Sequence, residues 1–196
     1  MMITVQTTPN PNALKFIVGE RWIGFVWECN NERDAAKSQL AKVLWAIDGV
    51  VYLMFGSDFV SISKKQNVSW EKLQPEIIDA IDEFLQKDIG LFEDNIKIPL
   101  DGQSKKSKLD IELSESNIEY TELEIKIIHV LDEKVRPVLE SHGGMVKFVS
   151  FHDGVVVLDL QGACKGCPSS MYTLKNGIEN LLKYYFPEVK EVASCE

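Results

Sequence analysis

The sequence predicts a two-domain α+β or α/β protein in which each domain is a small sheet packed against two helices, and three features lead there. Strand-like alternation and helical periodicity occur in two separate blocks. Between them, residues 101–108 (Asp-Gly-Gln-Ser-Lys-Lys-Ser-Lys) contain no large apolar side chain and read as linker. The second block alone carries a CxxC loop, Cys164-Lys165-Gly166-Cys167, placed between a strand and a helix. The expected organisation is a first domain over 1–88, a linker over 89–116 and a second domain over 117–196.

The chain has 196 residues, 45% of them hydrophobic, which suits a folded chain of one large or two small domains. A formal net charge of -9 and a pI near 4.9 argue against nucleic acid or an anionic membrane as partner. The longest apolar runs, such as Val50–Phe55, fall far short of the roughly 20 residues a membrane helix needs. The first residues carry no basic side chain before Lys15 and pass at once into strand-like alternation, so they do not read as a targeting peptide. The expected location is bacterial cytoplasm, or the mitochondrial matrix for a processed eukaryotic chain.

In chain order, Ile3–Thr8 and Ala13–Val18 read as strands joined through Pro9-Asn10-Pro11-Asn12. Trp22, Phe25 and Trp27 belong to a stretch of unclear type, with the aromatic rings assigned to core. Ala36, Leu40, Val43, Leu44 and Ile47 keep helical spacing, which predicts one helix over 32–47 ending at Asp48-Gly49. Val50–Phe55 and Phe59–Ser63 form a hairpin across Gly56-Ser57-Asp58, and Trp70–Gln86 is a second helix.

The second block opens with a long helix over 117–141, with a kink at Pro137 and an end at His142-Gly143-Gly144. Met145–Phe151 and Val155–Leu160 pair through Asp153-Gly154, a strong hairpin signal. After the thiol loop, a helix runs to Tyr185, and Val189–Val192 is a candidate edge strand.

Cys164 and Cys167 are the candidate site residues. Gly162 and Gly166 permit a tight loop around them, and Pro168 suits the first position of the following helix. Cys167 would then lie at a helix N-terminus, where the dipole and Lys165 favour thiolate. Three chemistries use such a pair: dithiol–disulfide exchange, structural zinc and an iron–sulfur cluster. Zinc and iron–sulfur sites generally take four ligands, and the chain has no second pair; its other cysteines are Cys29 and Cys195. A second copy of the chain completes the shell most simply, which would couple metal occupancy to dimerisation and place the metal near the surface. Cys29 reads as a packed thiol and Cys195 as an incidental terminal one. His142 reads as a helix-end residue, Lys165 as either a steering charge or a solvated one, and His129 and His152 carry no signal.

The Gly162–Pro168 motif, with the hairpin before it and Ser169-Ser170-Met171-Tyr172-Thr173-Leu174 after it, resembles the C-terminal domain of NifU, the Nfu domain. Thr7-Thr8-Pro9-Asn10-Pro11-Asn12-Ala13-Leu14-Lys15-Phe16, Ile47-Asp48-Gly49-Val50 and Phe55-Gly56-Ser57-Asp58-Phe59-Val60 resemble the Nfu N-terminal domain. The resemblance covers nearly the whole chain. It implies a non-enzymatic iron–sulfur scaffold or carrier that holds a [4Fe-4S] cluster, or a [2Fe-2S] cluster, between two protomers through Cys164 and Cys167 of each. It also implies an upstream assembly scaffold as donor and apo iron–sulfur proteins as recipients. One departure stands out: the family often has Asp-Gly-Gly-Asp where this chain has His142-Gly143-Gly144-Met145. The competing classes are a dithiol–disulfide oxidoreductase and a zinc-stabilised interaction module.

Overall fold

The computed structural model describes residues 3–19, 26–87, 91, 120–165 and 168–195. Trp22, Phe25, Gly166, Cys167 and nearly all of the expected linker therefore lie outside the described residues.

The N-terminal unit is built on a five-stranded antiparallel sheet in the order β1-β2-β5-β4-β3. Its strands are β1 (Thr4–Thr7), β2 (Ala13–Ile17), β3 (Trp27–Cys29), β4 (Val50–Phe55) and β5 (Phe59–Lys64). The turn from β1 to β2 is tied by its own side chains: Thr8 Oγ1 accepts from the Asn10 amide, and Asn10 Oδ1 accepts from the Asn12 amide. Such short polar groups offer the backbone a local alternative to ladder bonds, which is why Thr-Pro-Asn-Pro-Asn turns the chain. At the β4–β5 hairpin, Gly56 N–H bonds the Phe59 carbonyl at 2.8 Å, and a Cβ on Gly56 would meet the Phe59 ring at 2.3 Å. Only glycine fits beneath that ring.

The helix expected over 32–47 is two, α1 (Glu32–Ala35) and α2 (Gln39–Ala46). The break has a local cause. Ser38 is fully buried and extended, and its hydroxyl accepts from the Ala41 amide, so a new helix starts where the periodicity continues unbroken. Strand β3, which the sequence left unassigned, completes the sheet edge; Trp27 is half-buried and stacks at 5.2 Å from Phe55, as the core assignment required. Helix α3 (Trp70–Gln86) follows the expected bounds. Leu40, Leu44, Leu73, Ile77 and Ile81 from these helices meet Leu14, Phe16, Leu53, Phe55, Val60 and Ile62 from one face of the sheet.

The C-terminal unit has a three-stranded sheet, β6 (Gly144–His152), β7 (Val155–Gly162) and β8 (Glu191–Ser194), in which β6 and β7 are antiparallel and β8 runs parallel to β7. The β6–β7 turn has positive φ at both Asp153 and Gly154, the geometry that Asp-Gly predicts for a two-residue hairpin. Helix α4 (Glu122–Val130) starts at a capping box made by Thr121 and Glu124. It passes through a π-helical turn, Leu131–Val135, into α5 (Arg136–Ser141). Pro137 sits just beyond that turn and has no N–H to give, so the widened turn takes the place of the expected kink. Helix α6 (Pro168–Tyr185) begins on the proline, as the sequence indicated. The edge strand falls two residues later than expected, because Lys190 N–H is taken by the Gly154 carbonyl at 2.7 Å.

The units touch. Tyr52, Met54 and Phe59 of β4 and β5 form an apolar cluster with Met145 of β6, on the face of the five-stranded sheet opposite its helices. The sequence offered no expectation for this docking.

Candidate functional site

The end of β7 leads directly to the first candidate ligand. Gly162, the last residue of the strand, has φ +67, and a Cβ there would meet the Gly143 carbonyl oxygen at 2.4 Å and Met54 at 2.7 Å. This position requires glycine on two independent counts. Ala163 N–H then bonds the Gly143 carbonyl at 2.9 Å, and Lys165 N–H bonds the Gly162 carbonyl at 3.0 Å, closing a tight turn around Cys164.

Cys164 is only 6% exposed. The thiol packs over Gly144, where a Cβ would lie 2.3 Å from Sγ, and joins the core containing Val146, Leu158 and Ile178. In this state the thiol lies inward, whereas the sequence reading placed the metal near the surface. Cys167 lies outside the described residues. Among the described residues no three His, Cys, Asp or Glu side chains gather into a metal site.

The other thiols are placed clearly. Cys29 is fully buried in the N-terminal core and donates to the Asn31 carbonyl at 3.6 Å; burial pushes its pKa up to about 11. It is the packed thiol the sequence suggested. Cys195 is exposed, yet its Sγ and backbone N–H both bond the Leu158 carbonyl, so the sheet holds this segment in place. His142 is exposed at the C-cap of α5, with Gly143 following in the left-handed region at φ +72.

Lys165 is exposed, as its solvated reading expected, but it also has partners. Its Nζ donates to Asn30 Oδ1 at 3.0 Å and lies 5.2 Å from the Tyr52 ring centroid. Both partners belong to the N-terminal unit, which also grips the loop at several other points. Asn10 Nδ2 donates to the carbonyls of Ala163 at 3.1 Å and Lys165 at 3.4 Å. Tyr52 Oη accepts from Gly162 N–H at 2.9 Å and donates to the Glu28 carboxylate. Glu28 in turn accepts from Gln161 Nε2 at 2.9 Å. Burial pushes the Glu28 carboxyl above the usual range, with the Tyr52 hydrogen bond opposing that shift. Burial, then the Glu28 charge, raises the Tyr52 hydroxyl as well.

Sequence reading missed Asn10, Glu28, Tyr52 and Met54 as neighbours of the loop. A signal was present in β4, whose side chains are large and apolar on both faces: Leu53 and Phe55 alternate with Tyr52 and Met54. Strands that read apolar throughout are covered on both sides.

Comparison with known proteins matches residues 3–88 to the family described as "Scaffold protein Nfu/NifU N terminal" and residues 127–193 to the "NifU-like domain". The chain belongs to the NifU/Nfu family. Within that family, it is 41% identical over 196 residues to "NifU-like protein 4, mitochondrial" of Arabidopsis thaliana, covering 98% of this chain and 65% of that one. It is 36% identical over 194 residues to "NFU1 iron-sulfur cluster scaffold homolog, mitochondrial" of Drosophila persimilis, covering 98% of this chain and 64% of that one. This NifU/Nfu chain thus spans just under two thirds of the length of these relatives. Among solved structures, a NifU-like protein from Saccharomyces cerevisiae is 31% identical over 48% of this chain and 86% of that one, with a TM-score of 0.43.

Proposed function

We propose that this chain is an iron–sulfur cluster scaffold or carrier rather than an enzyme. Cys164 and Cys167 would supply two thiolates, and the same pair from a second protomer would complete a [4Fe-4S] cluster that is cargo, passed on to apo-proteins by thiolate exchange. The observation that carries the reading is local. Gly143, Gly144 and Gly162 leave a close-fitted cradle for the Cys164 loop at the end of β7, which leads into the helix that starts at Pro168. The name "iron-sulfur cluster scaffold homolog" on a relative supports the same cargo. A [2Fe-2S] cluster would use the same four thiolates.

The two units correspond in this reading to domains over 1–88 and 117–196 joined by a linker over 89–116. The mitochondrial names of the relatives favour the matrix over bacterial cytoplasm as the setting. An upstream assembly scaffold would supply the cluster.

Anaerobic reconstitution with iron and sulfide tests the proposal. The expected product absorbs broadly in the visible through thiolate-bound iron, carries about four irons per dimer and is lost in Cys164→Ser and in Cys167→Ser, since four thiolates are shared by two chains. A colourless monomer after reconstitution would refute it. Iron-free turnover of a protein disulfide, dependent on both cysteines, would point to the oxidoreductase instead.

A further inference from the structure

The five-stranded sheet has two buried faces, and only one of them is buried by its own helices. On the other, Tyr52 is 7% exposed, Phe59 3%, and Met54 and Ser61 are fully covered. What covers them is the segment around the candidate ligand. Met54 Sδ and Cε lie 2.7 Å from where a Cβ on Gly162 would be, and Ser61 Oγ and Lys15 Cβ lie 3.2 and 3.3 Å from the Cβ position of Gly143. Two backbone glycines thus let the β7 end and the α5–β6 turn sit flat on the sheet. The polar bonds fall on the same segment: Asn10 takes two carbonyls, Tyr52 takes the Gly162 amide, and Lys15 Nζ donates to the Glu140 carbonyl at 2.7 Å.

We propose that this face of the N-terminal sheet is a reversible cap on the Cys164 loop. Asn10, Tyr52 and Met54 clamp the backbone from Gly162 to Lys165, and the loop meets a second copy of the chain only when the cap lifts. The second half of this statement rests on the cluster reading above; the first half does not. Occupancy argues for it, because the polar groups and close-packing surface of the Gly162–Lys165 backbone are already taken by Asn10, Tyr52 and Met54.

Reversibility follows from the mixed quality of the contact. Ser61 Oγ is buried without a hydrogen-bond partner, and the Lys15 ammonium donates to one carbonyl and lies 4.3 Å from the Phe59 ring centroid, with the Asp58 and Glu140 charges also acting on it. Both groups lose hydration on closing, and each loss offsets part of the apolar gain at Met54 and Phe59. A wholly apolar contact would not carry these costs. The bonds to backbone are also ones that water replaces readily once the sheet moves away.

The test is hydrogen exchange on the full chain without iron, read at the Gly162 amide. In the parent protein this amide is protected by Tyr52 Oη. Met54→Asp, which places a carboxylate against Gly162, should speed its exchange at least tenfold and enlarge the radius of gyration by small-angle scattering. The amides of β2, β5 and β6 should stay protected. Tyr52→Phe keeps the ring and removes the hydroxyl that accepts from Gly162 and donates to Glu28, so it should raise Gly162 exchange even if Met54→Asp disturbs the N-terminal core. Unchanged Gly162 exchange in Tyr52→Phe, or in a Met54→Asp protein whose strands remain protected, overturns the cap. Because no iron is present, failed reconstitution leaves this result standing, and a failed cap leaves the cluster reading standing. If reconstitution succeeds, both variants should reach the loaded dimer faster than the parent; equal rates overturn the gating role.

Discussion

At the scale of single residues, Gly144 and Cys29 show how differently two positions near thiol chemistry are constrained. Gly144 is the surface on which the Cys164 sulfur rests, and Gly144→Ala inserts a methyl 2.3 Å from it. The thiol must move, so the substitution should cost about 1–3 kcal/mol, typical of overpacking a tight core, and speed alkylation of Cys164 in the native protein. Urea unfolding and peptide-resolved alkylation measure the two effects; an unchanged midpoint would show that the thiol has room the structure denies it. Cys29 is the opposite case, a thiol with no site around it. Its pKa is raised from 9.0 to about 11 because the buried form resists charging. The unfolded chain ionises first, so the stability this thiol contributes is intact below about pH 9 and is lost as pH rises through about 11. Cys29→Ala removes that loss, and its stability should fall less steeply across the same window than that of the parent protein.

At the scale of elements, most of the chain was legible because local pattern and tertiary demand agree. Helix α3, the β4–β5 and β6–β7 hairpins and the start of α6 on Pro168 stand where spacing, Asp-Gly and proline put them. The misses share a cause, a side chain or backbone group acting on the ladder where hydropathy is silent. Ser38 splits a continuous helical pattern through one hydroxyl, and Pro137 is preceded by a π turn in place of a simple bend. Ser38→Ala leaves the Ala41 amide unmatched inside the core, so it should destabilise the protein by about 1 kcal/mol, up to roughly 2. The exposed cap Ser69 of α3 should cost less on the same change, since water can reach the Glu71 amide it serves. Equal losses at both positions in chemical denaturation would mean that burial of the cap does not matter. Of the candidate site, the loop and the burial of Cys29 were readable. The N-terminal partners of the loop were not, because Asn10 to Ala163 and Tyr52 to Gly162 are contacts between residues far apart in sequence that no local period encodes.

At the scale of the whole molecule, the docking of the two units should respond to pH through Glu28. Its carboxylate faces Tyr52 on β4, Asp159 and Gln161 on β7, Lys147 on β6 and Lys165 in the loop. Burial dominates this mixture of opposite charges and raises the carboxyl above its ordinary value of 4.5. An acid with a raised pKa in one state favours that state when protonated, so docking is strongest at low pH. It weakens as pH rises from about 4.5 through the raised value, because the exposed carboxyl of the undocked form loses its proton first. Lys15 acts at the other end of the scale: burial lowers its pKa below 10.5, so docking regains strength only as alkaline pH discharges the ammonium. Between these limits both groups are charged and the cap is at its weakest. Scattering profiles of the full chain taken upward from about pH 4.5 should therefore show a more extended average above the raised value than below it. Glu28→Gln keeps the shape of the side chain and the acceptor for Tyr52 while removing the titration, so its profile should be nearly flat across the same range. An equally steep response in Glu28→Gln would assign the pH dependence to another group.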